Sequence, residues 1–270
     1  MKMKNLLVLG AAAAMVCSAM TVSAEEKTWV IATDTVFRPF EYTNENGELV
    51  GIDVDIVAAV AEDQGFSYEM QSLGWDAAIA ACQAGQADGM IAGASITDER
   101  KESGWTFSDG YFDATQSMVV KGGSEIAGFE DLDGKMVGVK IGTMGAAYAE
   151  SLKDEYKFDI TYYEDSPTMY QAVLGGQVAA GFEDTPIMLD SIKANGLDLQ
   201  VVEGTENEGS PYGFAIFKED SQELLDMFNA GLANIKENGT YDEIIARYLD
   251  TAVESETEAA SEAETEAVTE

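Results

Sequence analysis

The chain contains no histidine. That absence removes histidine-ligated metal sites and every catalytic triad built on an imidazole. Basic residues are scarce: 15 Lys and Arg stand against 50 Asp and Glu, for a formal charge of −35. Such a surface repels nucleic acid and anionic lipid, so neither is expected as a partner. Cysteine is limited to Cys17 and Cys82. Cys17 falls in an N-terminal export segment, which leaves the mature chain one thiol and no intramolecular disulfide. Cys82 lies in a helical pattern that starts at Trp75 and reads as a buried structural thiol. Long apolar runs are missing as well. The one candidate, Leu6 to Met20, is too short to span a bilayer.

That run belongs to an export signal over residues 1–24. Lys2 and Lys4 form the positive end, and Val22-Ser23-Ala24 offers the small residues of a cleavage site. Cleavage before Glu25 removes both lysines and takes the formal charge from −35 to −37. Ala14-Met15-Val16-Cys17 lacks the small residue expected before a lipidated cysteine, so a lipoprotein is disfavoured. The expected product is soluble and exported, either periplasmic or extracellular. At the other end, residues 251–270 are dominated by Glu, Ala, Thr, Ser and Val. With no basic residue and little to bury, this acidic tail is expected to be disordered. About 225 residues lie between, enough for two lobes with separate cores.

Apolar strands alternate with amphipathic helices through this region. Trp29 to Thr33, Met90 to Gly93, Met136 to Lys140 and Ala179 to Phe182 read as buried strands. Helical patterns cover Asp53 to Ala61, Gly145 to Lys153, Thr185 to Ala194, Glu223 to Glu237 and Tyr241 to Leu249. The alternation predicts an α/β fold with largely parallel sheets. Such sheets gather ligands at the carboxyl ends of their strands. Asp34, Ser95, Thr143 and Asp184 all fall just after predicted strands.

Four segments carry the chemistry: Ala32-Thr33-Asp34-Thr35-Val36-Phe37, Ala92-Gly93-Ala94-Ser95-Ile96-Thr97-Asp98-Glu99-Arg100, Val139-Lys140-Ile141-Gly142-Thr143-Met144-Gly145, and Glu183-Asp184-Thr185-Pro186. A planar guanidinium suits a ligand α-carboxylate, and a carboxylate suits an α-ammonium. A further charged pair, Asp34 and Lys140, is left for a side chain. In this order and spacing the segments resemble the extracytoplasmic amino-acid-binding proteins of ABC importers (family 3 solute-binding proteins), most nearly the glutamine-binding members. The resemblance runs from about Thr28 to about Leu249.

The resemblance implies a two-lobed periplasmic-binding-protein-like fold of type II, with discontinuous lobes joined by two hinge segments. Lobe one would comprise 28–111 plus 213–250, and lobe two 112–212, with crossings near 111–115 and 208–212. It also implies a monomer that closes on one free L-amino acid and presents it to a membrane ABC permease, with no cofactor, metal or catalytic residue. Arg100 would take the α-carboxylate and Asp184 the α-ammonium. Ser95 and Gly93, following Ala92, offer a hydroxyl and a carbonyl. Thr143 and Met144 would present backbone N–H groups at a helix start, which favours a carboxylate. Phe37 and Trp75 would sandwich the ligand's aliphatic part. Asp184 before Thr-Pro also reads as a helix N-cap.

Asp34 and Lys140 together suit a primary amide, which both donates and accepts, and their charges cancel; glutamine is therefore the favoured ligand. Arg38 would restore an acidic ligand if it reached the pocket. Glu183 stands where glutamine binders have histidine, and either favours a cationic ligand or points elsewhere. The alternatives are a glutamate or general polar amino-acid binder, a sensor domain, or a cyclohexadienyl-dehydratase-like enzyme with Glu183 as general acid.

Overall fold

The computed structural model describes residues 27–249. The export signal with Cys17 and the acidic tail lie outside the described residues.

Two five-stranded sheets organise the chain. The first has the order Ser67–Ser72, Thr28–Thr33, Gly89–Met90, Ala215–Ile216, Thr106–Phe107. The second has the order Asp159–Tyr163, Met136–Lys140, Ala180–Asp184, Gln116–Lys121, Leu199–Val201. Each is a sheet-rich α/β lobe. The chain passes between them along Phe112–Ala114 and returns along Ser210–Tyr212, and these two segments pair antiparallel.

In each sheet one strand runs against the other four: Ala215–Ile216 in the first and Gln116–Lys121 in the second. The reason is geometric. The parallel strands end at the seam between the sheets, as Lys140 and Asp184 show. A chain arriving through the crossing ribbon starts at that seam, so the strand it enters must run the opposite way.

Helices cover both faces of each sheet. The apolar stripe Leu224, Leu225, Phe228, Leu232 and Ile235 buries the helix Gln222–Glu237 against the first sheet and the helix Ile52–Gln64. Gly231 lets those two helices touch: a Cβ there would meet Val60 Cγ1 at 2.8 Å. Trp75–Ala84 covers the opposite face, where Cys82 is buried. Burial pushes the Cys82 thiol up to about 12, so it stays protonated and inert. On the second sheet, Met144–Tyr156 packs on one face and Ser166–Leu174 on the other.

Some elements were not foreseen from pattern alone. The helix Ser166–Leu174 starts at a capping signal, with Asp165 accepting from Thr168 N at 2.7 Å and a proline in the first turn. A three-stranded ribbon joins Val36–Phe37, Glu41–Thr43 and Leu49–Val50. The strand before Asp184 is longer than expected and includes Asp184 itself.

Phe228 stacks on Phe214 at a centroid separation of 4.6 Å and is fully enclosed. Phe228→Ala is expected to destabilise the fold by roughly 3–5 kcal/mol, read from the midpoint of chemical denaturation. A loss below about 1 kcal/mol would show that this stripe does not anchor the helix.

Candidate functional site

The carboxyl ends of both sheets meet at one cleft. Phe37, Trp75, Ala92, Gly93, Ser95, Arg100, Lys140, Thr143, Met144 and Asp184 line it. Each of these was named from sequence. Asp34, also named, lies directly behind Lys140 and is bonded to it.

The first sheet contributes the aromatic and guanidinium side. Gly93 adopts φ 56, a conformation that glycine tolerates, and an added Cβ would sit 2.4 Å from the Phe37 ring. The backbone at Ala92 to Ser95 can therefore lie flat against Phe37. Ser95 then bridges to Tyr212 of the crossing ribbon. Arg100 belongs to a short helix, Asp98–Glu102, whose start is capped by Thr97 accepting from Arg100 N at 3.2 Å. Its guanidinium donates to Ser95 O at 2.9 Å and, across the seam, to Gly142 O at 3.3 Å. It lies 5.1 Å from the Trp75 ring and 5.2 Å from the Trp105 ring. These contacts aim a planar cation at the cleft with its remaining donors free for an anion.

The second sheet contributes Lys140, Thr143, Met144 and Asp184. Thr143 donates to Lys140 O at 2.8 Å and accepts from Ala146 N, which caps the helix Met144–Tyr156. The first N–H groups of that helix face the cleft end of the lobe.

Lys140 Nζ donates to Asp34 Oδ2 across the seam, with both side chains buried. The ammonium also lies 5.0 Å from the Phe37 ring and 5.9 Å from the Trp75 ring. Burial alone would lower the Lys140 pKa; Asp34 and then Glu183 outweigh it and hold the ammonium above its ordinary value.

Asp184 is buried and doubly held. It accepts from Gln116 Nε2 and from Tyr212 OH, both at 2.5 Å. Burial raises its pKa, while these two bonds and the cations Arg100 and Lys140 pull it down. Asp184 occupies the N-cap position of the following helix, as the sequence suggested, but its side chain makes no capping bond there. The carboxylate is drawn into the cleft network by Gln116 and Tyr212 instead.

Glu183 does not line the cleft. Its Oε2 accepts from Ser166 and its Oε1 from Asp184 N at 3.1 Å. Burial and then the Asp184 charge push it up to about 7. Arg38 turns away too: its guanidinium covers the Tyr42 ring at 4.0 Å and pairs with Asp190 at 3.0 Å. It therefore latches the first lobe to the helix Thr185–Asn195 outside the pocket. Gln116, Tyr212 and Ser166 were not singled out from sequence. Nothing in their neighbourhood marks them as polar partners of Asp184 and Glu183, because those partners come from segments far apart in the chain.

The space left between the lining residues is about 10 Å³, room for roughly one water. Admitting anything larger requires the two sheets to separate.

A two-lobed fold whose polar groups converge on the seam is the architecture of a binding protein that closes on a small solute. Residues 29–251 match the bacterial extracellular solute-binding proteins, family 3, and the chain belongs to that family. Among curated proteins it is 31% identical over 256 residues to a probable histidine-binding protein of Neisseria gonorrhoeae, covering 88% of this chain and 94% of that one. An arginine-binding periplasmic protein of Mannheimia haemolytica is 30% identical over 223 residues, covering 82% and 90%. Among solved structures, the arginine-, lysine-, histidine-binding protein ArtJ of Geobacillus stearothermophilus aligns with a TM-score of 0.76 and 35% identity, covering 83% of this chain and 96% of that one. An ancestral arginine-binding protein bound to glutamine aligns at 0.75 and 35%, covering 82% and 97%.

Glu183 sets a pH dependence of stability. Its folded pKa is raised, so its favourable contribution is complete below the ordinary value of 4.5 and is lost as pH rises through about 7. Thermal melting of the ligand-free protein should show stability falling across that window, and Glu183→Gln should flatten part of the fall. Equal slopes in the two proteins would contradict this.

Proposed function

We propose that this protein captures a free polar L-amino acid between its lobes, with glutamine the preferred ligand, and delivers it to a membrane ABC permease. The observation that carries the reading is the Asp34–Lys140 pair at the side-chain end of a cleft that also holds Arg100 and Asp184. Arg100 receives the α-carboxylate in bidentate fashion, helped by N–H groups of Thr143 and Met144. Asp184 and the polar edge at Gly93 and Ser95 receive the α-ammonium. Phe37 and Trp75 enclose the aliphatic stem.

A primary amide can insert between Asp34 and Lys140, donating to one and accepting from the other, and leaves no unpaired charge. Glutamate sets an oxygen against Asp34. With Arg38 engaged by Asp190, no second guanidinium compensates. The lobe limits proposed from sequence fit this reading, since the ribbon Phe112–Ala114 with Ser210–Tyr212 is where two lobes can pivot. Binding without turnover is the expected outcome, in keeping with relatives named as binding proteins. A solved neighbour, an ancestral amino-acid-binding precursor of cyclohexadienyl dehydratase, shares the fold at 33% identity, so recovered ligand should be checked for chemical change.

A second reading, a cationic amino acid, is favoured by the relatives named for arginine and histidine and by the surplus of buried carboxyl groups at the cleft. Lys140 opposes it, because a second cation beside its ammonium is repelled in a dry site.

Titration calorimetry against the twenty amino acids, on protein unfolded and refolded to strip carried ligand, tests the reading. Glutamine should bind best, and mass spectrometry should recover it unchanged. Preference for arginine or lysine would overturn the glutamine assignment in favour of the second reading. Turnover of a cyclic precursor would overturn both.

Arg100→Ala strands the ligand carboxylate. The expected loss is about 2–5 kcal/mol, or roughly 30-fold to several thousand-fold in affinity. Arg100→Lys should recover little, since the planar fork is gone. An affinity within about threefold of wild type for a folded Arg100→Ala would remove Arg100 from the α-carboxylate site.

A further inference from the structure

Behind the cleft wall lie two carboxyl groups that the ligand reading does not use. Glu41 and Asp53 are both at 0% exposure. Glu41 opens the strand Glu41–Thr43, and Asp53 sits in the first turn of the helix Ile52–Gln64. Asp53 Oδ2 accepts from Gly93 N at 3.0 Å and from Tyr111 OH at 2.9 Å. No N–H or hydroxyl donor reaches Asp53 Oδ1 or either oxygen of Glu41. Asp53 N donates to Phe40 O at 2.9 Å, which brings the start of the helix alongside Glu41 and leaves the two carboxyl groups in one buried space without other donors.

That placement bears on the proton count. Two bare carboxylates sharing a dry interior repel, and each feels the other. A single proton between them converts the repulsion into a short charge-assisted bond. The surroundings reinforce this. Burial and then Asp53 and Asp34 push Glu41 well above its ordinary range, against a smaller pull from Lys140. Burial raises Asp53 to about 7, opposed by the bonds from Tyr111, Gly93 and Glu41. Tyr241 also feels the Asp53 charge. Tyr111 keeps its proton, held well above the ordinary phenol value by burial.

The pair is coupled to the cleft through one atom. Gly93 N is held by Asp53, and Gly93 is the residue pressed against Phe37 at the edge that runs on to Ser95. Moving Asp53 moves that edge.

We propose that Glu41 and Asp53 share one proton and act as a positioning pair for the Gly93 to Ser95 edge of the ligand cleft. Loss of the proton in alkaline solution forces the two groups apart, frees Gly93 N and weakens ligand capture. The binding half of this rests on the amino-acid reading above; the shared proton does not.

Two measurements test it separately. Carbon-13 NMR of the carboxyl groups in the ligand-free protein, with the Glu41 and Asp53 resonances assigned by their loss in Glu41→Gln and Asp53→Asn, should show those two titrating together above the ordinary carboxylate range. In Glu41→Gln, whose amide donates at every pH, the Asp53 titration should move down by at least about one unit. Glu41 and Asp53 both fully ionised near pH 6 in the wild type would overturn the shared proton. For the second half, glutamine affinity is followed from about pH 6 to about pH 8.5 in both proteins. The wild type should lose roughly tenfold more than Glu41→Gln over that range. Identical slopes would overturn the positioning role even if the shared proton is observed. If no amino acid binds either protein, the function reading has failed and the positioning role falls with it, while the NMR titration still decides the proton.

Discussion

An ammonium from one sheet and a carboxylate from the other meet where water does not reach. Lys140 ends a strand of the second lobe, Asp34 follows a strand of the first, and each buries the other. A lone charge at that depth costs several kcal/mol, so each group is tolerable there only because of its partner. Among the described residues, the bonds that cross the seam include this pair, the Arg100 bond to Gly142 and the outer Arg38–Asp190 latch. On the proposed reading the lobes part, and Lys140 and Asp34 then gain water in place of each other; that exchange offsets the loss of the pair and lets a small ligand decide between the two arrangements.

The same constraint explains where charge is buried. Among the described residues the fully buried charged side chains are Asp34, Glu41, Asp53, Lys140, Glu183 and Asp184. All lie at the cleft or against its back wall. Carboxyl groups outnumber the single buried lysine, and the excess is handled in two ways. Asp184 is satisfied by hydroxyl and amide donors from Tyr212 and Gln116. Glu183 is shifted to about 7 by burial and by Asp184 beside it. Tyr212 adds a mechanical link: its hydroxyl holds Asp184, its backbone bridges Ser95, and it belongs to the crossing ribbon. A pivot at that ribbon cannot move without disturbing both sides of the site.

The α/β alternation and the cleft-facing positions were legible in the chain because both are local. Strands end and loops begin at Asp34, Lys140 and Thr143, and a short motif carries Ser95 with Arg100. What escaped was long-range pairing. Arg38 is adjacent to Phe37, so sequence kept it near the pocket, yet Asp190, 152 positions away, draws it outside. The N-cap reading of Asp184 was chemically sound, but Tyr212 and Gln116 compete for that carboxylate with stronger, buried bonds. The partners of Asp53 and Glu183, and the burial of Glu41, are likewise set by how separate segments pack, and no periodicity encodes that. The helix Ser166–Leu174 is different: its Asp165 cap, early proline and buried Met169, Tyr170, Ala172 and Val173 are all local, and the sequence reading does not include it.

The central claim is that ligand capture and closure of the seam are one event. Pulsed dipolar spectroscopy between spin labels at exposed Gln83, on the first lobe, and exposed Lys153, on the second, measures the seam directly. Ligand-free protein should show a distance distribution with a long component, and saturating glutamine should collapse it to the short one. A distribution unchanged by glutamine, in a sample where calorimetry shows the amino acid bound, would contradict the account.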